Sequence, residues 1–330
     1  MKADLVHGGA LDRMRLAFPF APQPWIDLST GINPWAYPVE DIPVKVFHHL
    51  PTQKAYDACR MAMAESIRAP AESLVMAPGS EFLIRLLPML IRPKKVAILS
   101  PTYGDHVDAW RRAGSEVVET TDPLRMADQF ESVVICNPNN PDGRLFAPEI
   151  LLQVATSLSR RGGWLIVDEA YADLDAECSM TPYGGMGGLI VLRSFGKFFG
   201  LAGLRLGAFI APEAVRVDMQ NLLGAWPVSG PALAIGARAC RDFAWQAETR
   251  QRLRDARERL DRLLQLSGLN VCGGTDLFRI VATDDAHTLW KTLAQRGIYV
   301  RRFSWSDKLV RIGLPGNEVA EDRLLAALKT

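Results

Sequence analysis

The stretch Leu189-Ile-Val-Leu-Arg-Ser194-Phe-Gly-Lys197-Phe-Phe-Gly200-Leu-Ala-Gly203-Leu-Arg205-Leu-Gly207 decides how the rest of the chain is read. Its first part, 189–194, is short, apolar and β-branched without period-two alternation, which suits a strand covered on both faces. The remainder, 195–207, is glycine-rich and carries one lysine. Gly196-Lys197 is no P-loop, because the glycine spacing is absent and no Ser or Thr follows the lysine. The chain has 38 Lys and Arg residues, yet Lys197 is the single lysine between Lys95 and Lys291. A surface supplied almost wholly with arginine, with one lysine kept mid-chain, points to a need for an amine.

Working outward, further strand-like runs occur at 96–100, 116–119, 133–137, 164–168 and 204–210. Helical stretches lie between most of them, at 80–90, 104–113 and 148–161. This alternation predicts an α/β fold with a mostly parallel central sheet flanked by helices. Ligands of such sheets bind outside the carboxyl ends of the strands. Those ends read Pro101-Thr-Tyr103-Gly-Asp-His106, Asn137-Pro-Asn-Asn140-Pro-Asp-Gly143, Asp168-Glu-Ala-Tyr171 and Ser194-Phe-Gly-Lys197. Alone, each has an ordinary explanation: a turn, a helix cap, a solvated charge. Four at successive strand ends point to one site.

Past residue 212 the pattern becomes α+β. A long amphipathic helix covers 241–266, strands fall at 278–282, 299–302 and 310–314, and helices at 286–296 and 318–328. Residues 1–50 are rich in proline and aromatics and poor in helix signals, and read as an extended arm docked on the remainder. The expected division is an N-terminal arm (1–45), a large domain (46–212) and a smaller C-terminal domain (213–330). Among 330 residues, 38 basic and 37 acidic side chains leave a net charge of +1, which advertises neither nucleic acid nor an anionic membrane. Five scattered cysteines argue against a disulfide framework or a zinc site, and no metal is expected. No apolar run has membrane-spanning or signal-peptide length, so a reducing cytoplasm is the expected compartment.

The ordered set of the Asn-Pro turn, Asp168-x-x-Tyr171, Ser194-x-x-Lys197 and Arg205 resembles the fold-type-I pyridoxal-phosphate enzymes, specifically the class I/II aminotransferase group. The resemblance spans essentially the whole chain. It implies that Lys197 forms the Schiff base with pyridoxal 5′-phosphate and then acts as base and acid, that Asp168 faces the pyridinium nitrogen, and that Tyr103 stacks on the ring. It implies that Asn140 and Tyr171 bond the ring's 3′-oxygen. Gly79, Ser80 and Glu81, at a helix start, would join Ser194 and Arg205 around the phosphate. Glu81 is awkward beside an anion unless its side chain points away or caps the helix.

Within that group the sequence is similar to the L-threonine-O-3-phosphate decarboxylase family of cobalamin biosynthesis. His7-Gly8-Gly9 and Trp25-Ile-Asp27-Leu-Ser29-Thr30-Gly31-Ile-Asn33-Pro34 carry that likeness, as does the short length. It implies decarboxylation of L-threonine O-3-phosphate to (R)-1-amino-2-propanol O-2-phosphate. His7, Gly8, Gly9, Asn33, Arg301 and Arg311 would then bind the substrate's phosphate and carboxylate. Arg302, next to Arg301 on an alternating strand, would face the other way. The alternative is an aminotransferase for histidinol phosphate or a similar amine. Leu50-Pro51 stands where that aminotransferase family has Arg-Tyr-Pro, and Gly196 where a serine is common. The family implies a homodimer whose active site forms at the interface. A tyrosine that often reaches the partner's cofactor is missing at Leu50, with Tyr56 or the arm as candidate replacements. A DNA-binding regulator built on the same fold is disfavoured by the near-neutral charge.

Overall fold

The computed structural model describes residues 8–329, and the apolar runs become strands wherever both faces are covered. In chain order, α1 (Leu11–Ala17) and β1 (Ile26–Leu28) come first. They are followed by α2 (Lys45–His48), α3 (Gln53–Ser66), β2 (Leu74–Ala77), α4 (Ser80–Ile91), β3 (Lys95–Leu99), α5 (Gly104–Arg112) and β4 (Glu116–Thr120). Next are β5 (Ser132–Cys136), α6 (Pro148–Ser159), β6 (Trp164–Asp168), β7 (Leu189–Ser194), β8 (Gly207–Ile210), α7 (Glu213–Leu223) and α8 (Gly230–Arg241). The last group is α9 (Phe243–Leu266), β9 (Asn270–Thr275), β10 (Phe278–Ala282), α10 (Ala286–Gln295), β11 (Ile298–Phe303), β12 (Ser306–Gly313) and α11 (Glu318–Leu328).

Two compact units result, each with its own sheet. The larger is Ala36–Gln246. Its seven strands run in the order β2-β8-β7-β6-β5-β3-β4. All pairs are parallel except those of β8, which is antiparallel to β7 and β2. Strands β2, β5 and β8 are buried along their whole length, as their unbroken apolar runs require. Val96, Ile98, Val134, Ile166 and Ile190 form the core with Leu83, Leu87 and Trp110 from α4 and α5. The carboxyl ends of β3, β5, β6 and β7 consequently share one edge.

The expected strand 204–210 starts later, at Gly207. Arg205 adopts φ +53°, a left-handed conformation that cannot continue a strand. The expected boundary at 212 also moves. Helices α7 and α8 belong to the larger unit, where α8 packs along α3 and α7 against α4 and β2.

The second unit combines the chain through Trp35 with Ala247 onward. Its five strands run β1-β11-β12-β10-β9. Strand β1 is parallel to β11 (Ile26 opposite Ile298), and the other pairs are antiparallel. The arm is therefore a working part of this unit. It contributes an edge strand and a helix, and Met14, Ala21 and Trp25 pack with Ala294 and Tyr299.

Candidate active site

Asp168 ends β6 and is buried. Its Oδ1 accepts the Ala170 amide at 3.1 Å, and its Oδ2 lies 3.0 Å from His106 Nε2. His106 comes from α5, one helical turn beyond Tyr103, and is also buried. Burial alone would lower the His106 pKa, but hydrogen bonds to Asp168 and Cys136 outweigh it and raise the value from 6.5 to about 10. The result is a bond from a protonated imidazole that holds the Asp168 carboxyl group in place. His106, Cys136 and Asp168 have ligand atoms within 4.8 Å of one another, a spacing a metal ion also uses. Here the direct His106–Asp168 bond already engages that imidazole nitrogen and that oxygen, so the cluster reads as a supported carboxylate. His106 is the residue that sequence reasoning passes over. It stands in the quoted motif, but nothing in the sequence ties it to β6.

A second buried cluster ties the segment after β6 to β7. Arg193 Nη1 donates to Glu169 Oε2 at 3.0 Å, and Nη2 to Asp173 Oδ1 at 2.5 Å. Ser179 Oγ and the Met180 amide also donate to Glu169. Alternation along β7 puts Arg193 on one face and Ser194 on the other. Asp168, in register with Leu192, shares the face of Ser194. Lys197 comes three residues later, half-buried, on the loop beyond β7.

An anion cradle forms where α4 begins. Gly79 holds the N-cap position with φ +90° and no side-chain cap, so the first amides of α4 keep their donors for another group. The φ of +90° favours glycine at position 79, and the Arg205 guanidinium lies close against it, 2.6 Å from where a Cβ would stand. A guanidinium against the positive end of a helix is repelled unless an anion lies between them. Arg205, Gly79 and Ser80 thus meet the requirements of a phosphate site, with Ser194 paired with Gly207, which itself lies against Gly79 and the Ser80 amide.

Glu81 turns away from that cradle. Its carboxylate accepts Tyr103 Oη–H at 3.0 Å and Arg85 Nε–H at 2.7 Å. In the Asn-Pro loop, Asn137 bonds Phe146 and Cys178, and Asn139 bonds Pro101, Thr102 and Asp142. These two asparagines fasten the loop and set the position of Asn140, which is half-buried. Tyr171 is buried. The Tyr56 hydroxyl accepts the Met76 amide at 3.1 Å.

In the smaller unit, Arg301 and Arg311 stand directly opposite on β11 and β12 and so share a face of the sheet. Like charges in that position are unfavourable unless an anion joins them. Arg311 Nη2 donates to the Ser29 carbonyl at 2.8 Å. Ser29 Oγ accepts the Gly9 amide at 2.8 Å and donates to Asp27 at 2.6 Å. A Cβ on Gly8 would come 2.5 Å from the Ser29 oxygen. Gly8, Gly9 and Arg311 therefore converge on Ser29, which the sequence pattern alone does not single out. Asn33 is buried and its Oδ1 accepts the Trp35 amide. Arg302 projects to the other side, 2.9 Å from His287 Nδ1. His7 lies outside the described residues.

A doubly covered α/β sheet with a supported carboxylate, an amine and an anion cradle at its strand ends defines a class of cofactor enzyme. The model of the aminotransferase class I and II family matches residues 45–328, and the chain belongs to that family. Its cofactor is pyridoxal 5′-phosphate. The chain is 38% identical to a threonine-phosphate decarboxylase of Sinorhizobium sp. over 99% of its own length and 98% of the relative's. It is 39% identical to a threonine-phosphate decarboxylase of Pseudomonas aeruginosa, covering 98% and 97%. A solved histidinol-phosphate aminotransferase from Clostridium acetobutylicum shares the fold with a TM-score of 0.82 at 21% identity, over 92% of this chain and 98% of that one. Among the described residues, no helix is long and apolar enough to cross a membrane.

Proposed function

We propose that this protein decarboxylates L-threonine O-3-phosphate to (R)-1-amino-2-propanol O-2-phosphate, a reaction serving cobalamin synthesis. The observation that carries this reading is 38–39% identity, over nearly whole chains, to two proteins named for that activity. The paired Arg301 and Arg311 support it, because the substrate carries both a carboxylate and a phosphate.

The cofactor, when bound, supplies an electron sink for the bond broken at the substrate's α-carbon. Asp168, fixed by His106 and the Ala170 amide, would hold the ring nitrogen's proton. Arg205, Ser194, Gly79 and Ser80 would hold the phosphate, and Asn140 and Tyr171 the ring oxygen. Tyr103 would cover the ring face. Arg301 and Arg311, with the Gly8–Gly9 backbone, would orient the anionic substrate. The bond between the α-carbon and the carboxylate breaks, CO₂ leaves, and Lys197 Nζ delivers a proton to the α-carbon.

We also infer a cytoplasmic homodimer. Val44, Phe47 and Leu50 lie within seven residues around α2, each about two-thirds exposed (64–65%). Such a patch suits a second copy of the chain.

The test is CO₂ release from L-threonine O-3-phosphate by the holoenzyme without added oxoacid. Release that disappears in Lys197→Ala, together with the cofactor's visible absorbance, supports the reading. Turnover that requires an oxoacid and leaves the carboxylate in place overturns it in favour of an aminotransferase.

A further inference from the structure

A carboxylate in the first turn of a helix whose amides face a phosphate is electrostatically misplaced if it points at that phosphate. Glu81 instead joins a four-residue network with its own geometry. Tyr103 Oη donates to Glu81 Oε2 at 3.0 Å. Arg85 Nε donates to Glu81 Oε1 at 2.7 Å, and Arg85 Nη2 to Asp105 Oδ1 at 3.0 Å. Glu81 and Arg85 lie one turn apart on α4. Tyr103 is the residue immediately before α5, and Asp105 lies in its first turn. Arg85 thus ties the beginnings of the two helices together, and the phenol donates to Glu81 with Asp105 also beside it. Burial, reinforced by Asp105 and Glu81, raises the Tyr103 pKa, so the hydroxyl remains a donor at any ordinary pH.

We propose that Glu81 is a positioning residue for Tyr103: by anchoring the phenol its carboxylate fixes the ring plane that lies against the pyridoxal ring, and that side chain makes no contact with the phosphate. This rests on the reading that Tyr103 stacks on the cofactor. A tyrosine ring held only by its χ1 and χ2 torsions retains freedom to rock, and a bond at the far end of the ring removes it. The anchor is charge-assisted, which makes it stronger than a neutral contact.

The two roles open to Glu81 give opposite signs. If it mainly repels the phosphate, Glu81→Ala tightens cofactor binding. If it anchors Tyr103, the same change weakens it. The experiment measures pyridoxal-phosphate dissociation from the full-length holoenzyme, together with the circular dichroism band of the bound cofactor, which reports ring orientation. Glu81→Ala and Tyr103→Phe should each weaken binding about three- to tenfold, the size of one such hydrogen bond in a partly exposed site. The double variant should be no weaker than Tyr103→Phe, because that change already removes the bond to Glu81. Glu81→Gln keeps an acceptor for the phenol and should restore binding and the dichroism band. Unchanged or tighter binding in Glu81→Ala, additivity in the double variant, or no rescue by Gln overturns the proposal. Tyr103→Phe reads the same bond from its other end if Glu81→Ala does not fold. Tyr103→Ala separates the underlying reading: if it binds cofactor as wild type does, stacking itself is wrong, whereas a loss there without loss in Glu81→Ala rejects only the anchor.

Discussion

A histidine that is 1% exposed and bonded to a buried aspartate does not titrate as a free imidazole does. The groups facing His106 are Asp168 on β6 and Cys136 on β5, with the Tyr103 ring centroid 6.4 Å away. The folded-state pKa of His106 is raised from 6.5 to about 10. Protonated His106 therefore adds stability that is fully present below about pH 6.5 and is lost as pH rises toward 10. Apoprotein denatured by urea at a series of pH values should lose stability across that window. His106→Asn can still donate to Asp168 but cannot titrate, so its profile should be flatter over the same range. An equal slope in both proteins would show that the pair does not carry the charge assigned to it.

At the scale of elements, the strands of the larger unit are legible because doubly covered strands leave an unmistakable signal of short β-branched runs ending in polar residues. Residues 164–168 and 189–194 have in the fold the bounds that their pattern predicts. What the sequence cannot report is which strand ends are clamped to each other. The Arg193–Glu169–Asp173 contact joins residues 20 and 24 positions apart, and local pattern does not encode such pairings. Burial raises the Glu169 pKa, and Arg193 is among the groups that oppose this. Arg193→Met leaves two acids beside an apolar side chain. The expected loss at pH 8 is about 3–5 kcal/mol in denaturant unfolding, the usual cost of orphaning a buried charge. The loss should be smaller at pH 5, because Glu169 relieves it by taking up a proton. A loss independent of pH would mean that packing of the long side chain, not its charge, is what Arg193 contributes.

For the whole molecule, the arm shows why the expected three-part division differs from the two units of the fold. Pro and aromatic residues around 18–35 look like docked coil because β1 is three residues long, too short for any periodicity to register. Its partner β11 lies some 270 residues later, a separation no local reading spans. Met14 and Trp25, which by sequence are only apolar residues in need of cover, are core residues beside Tyr299. The boundary at 212 moves for a related reason: α7 and α8 are amphipathic, and amphipathicity says that one face is covered, not by which sheet. Trp25 is 7% exposed, so Trp25→Ala should cost about 3–5 kcal/mol as a large core truncation. Because the cluster around Trp25 lies within the smaller unit, that cost should appear locally in hydrogen exchange. Amides of Ile298–Val300, the stretch paired with β1, should lose protection, while those of β5 and β6 in the larger unit keep theirs. Uniform loss across both sheets would show that the units unfold as one. An unchanged pattern at β11 would return the arm to the docked coil that its composition suggests.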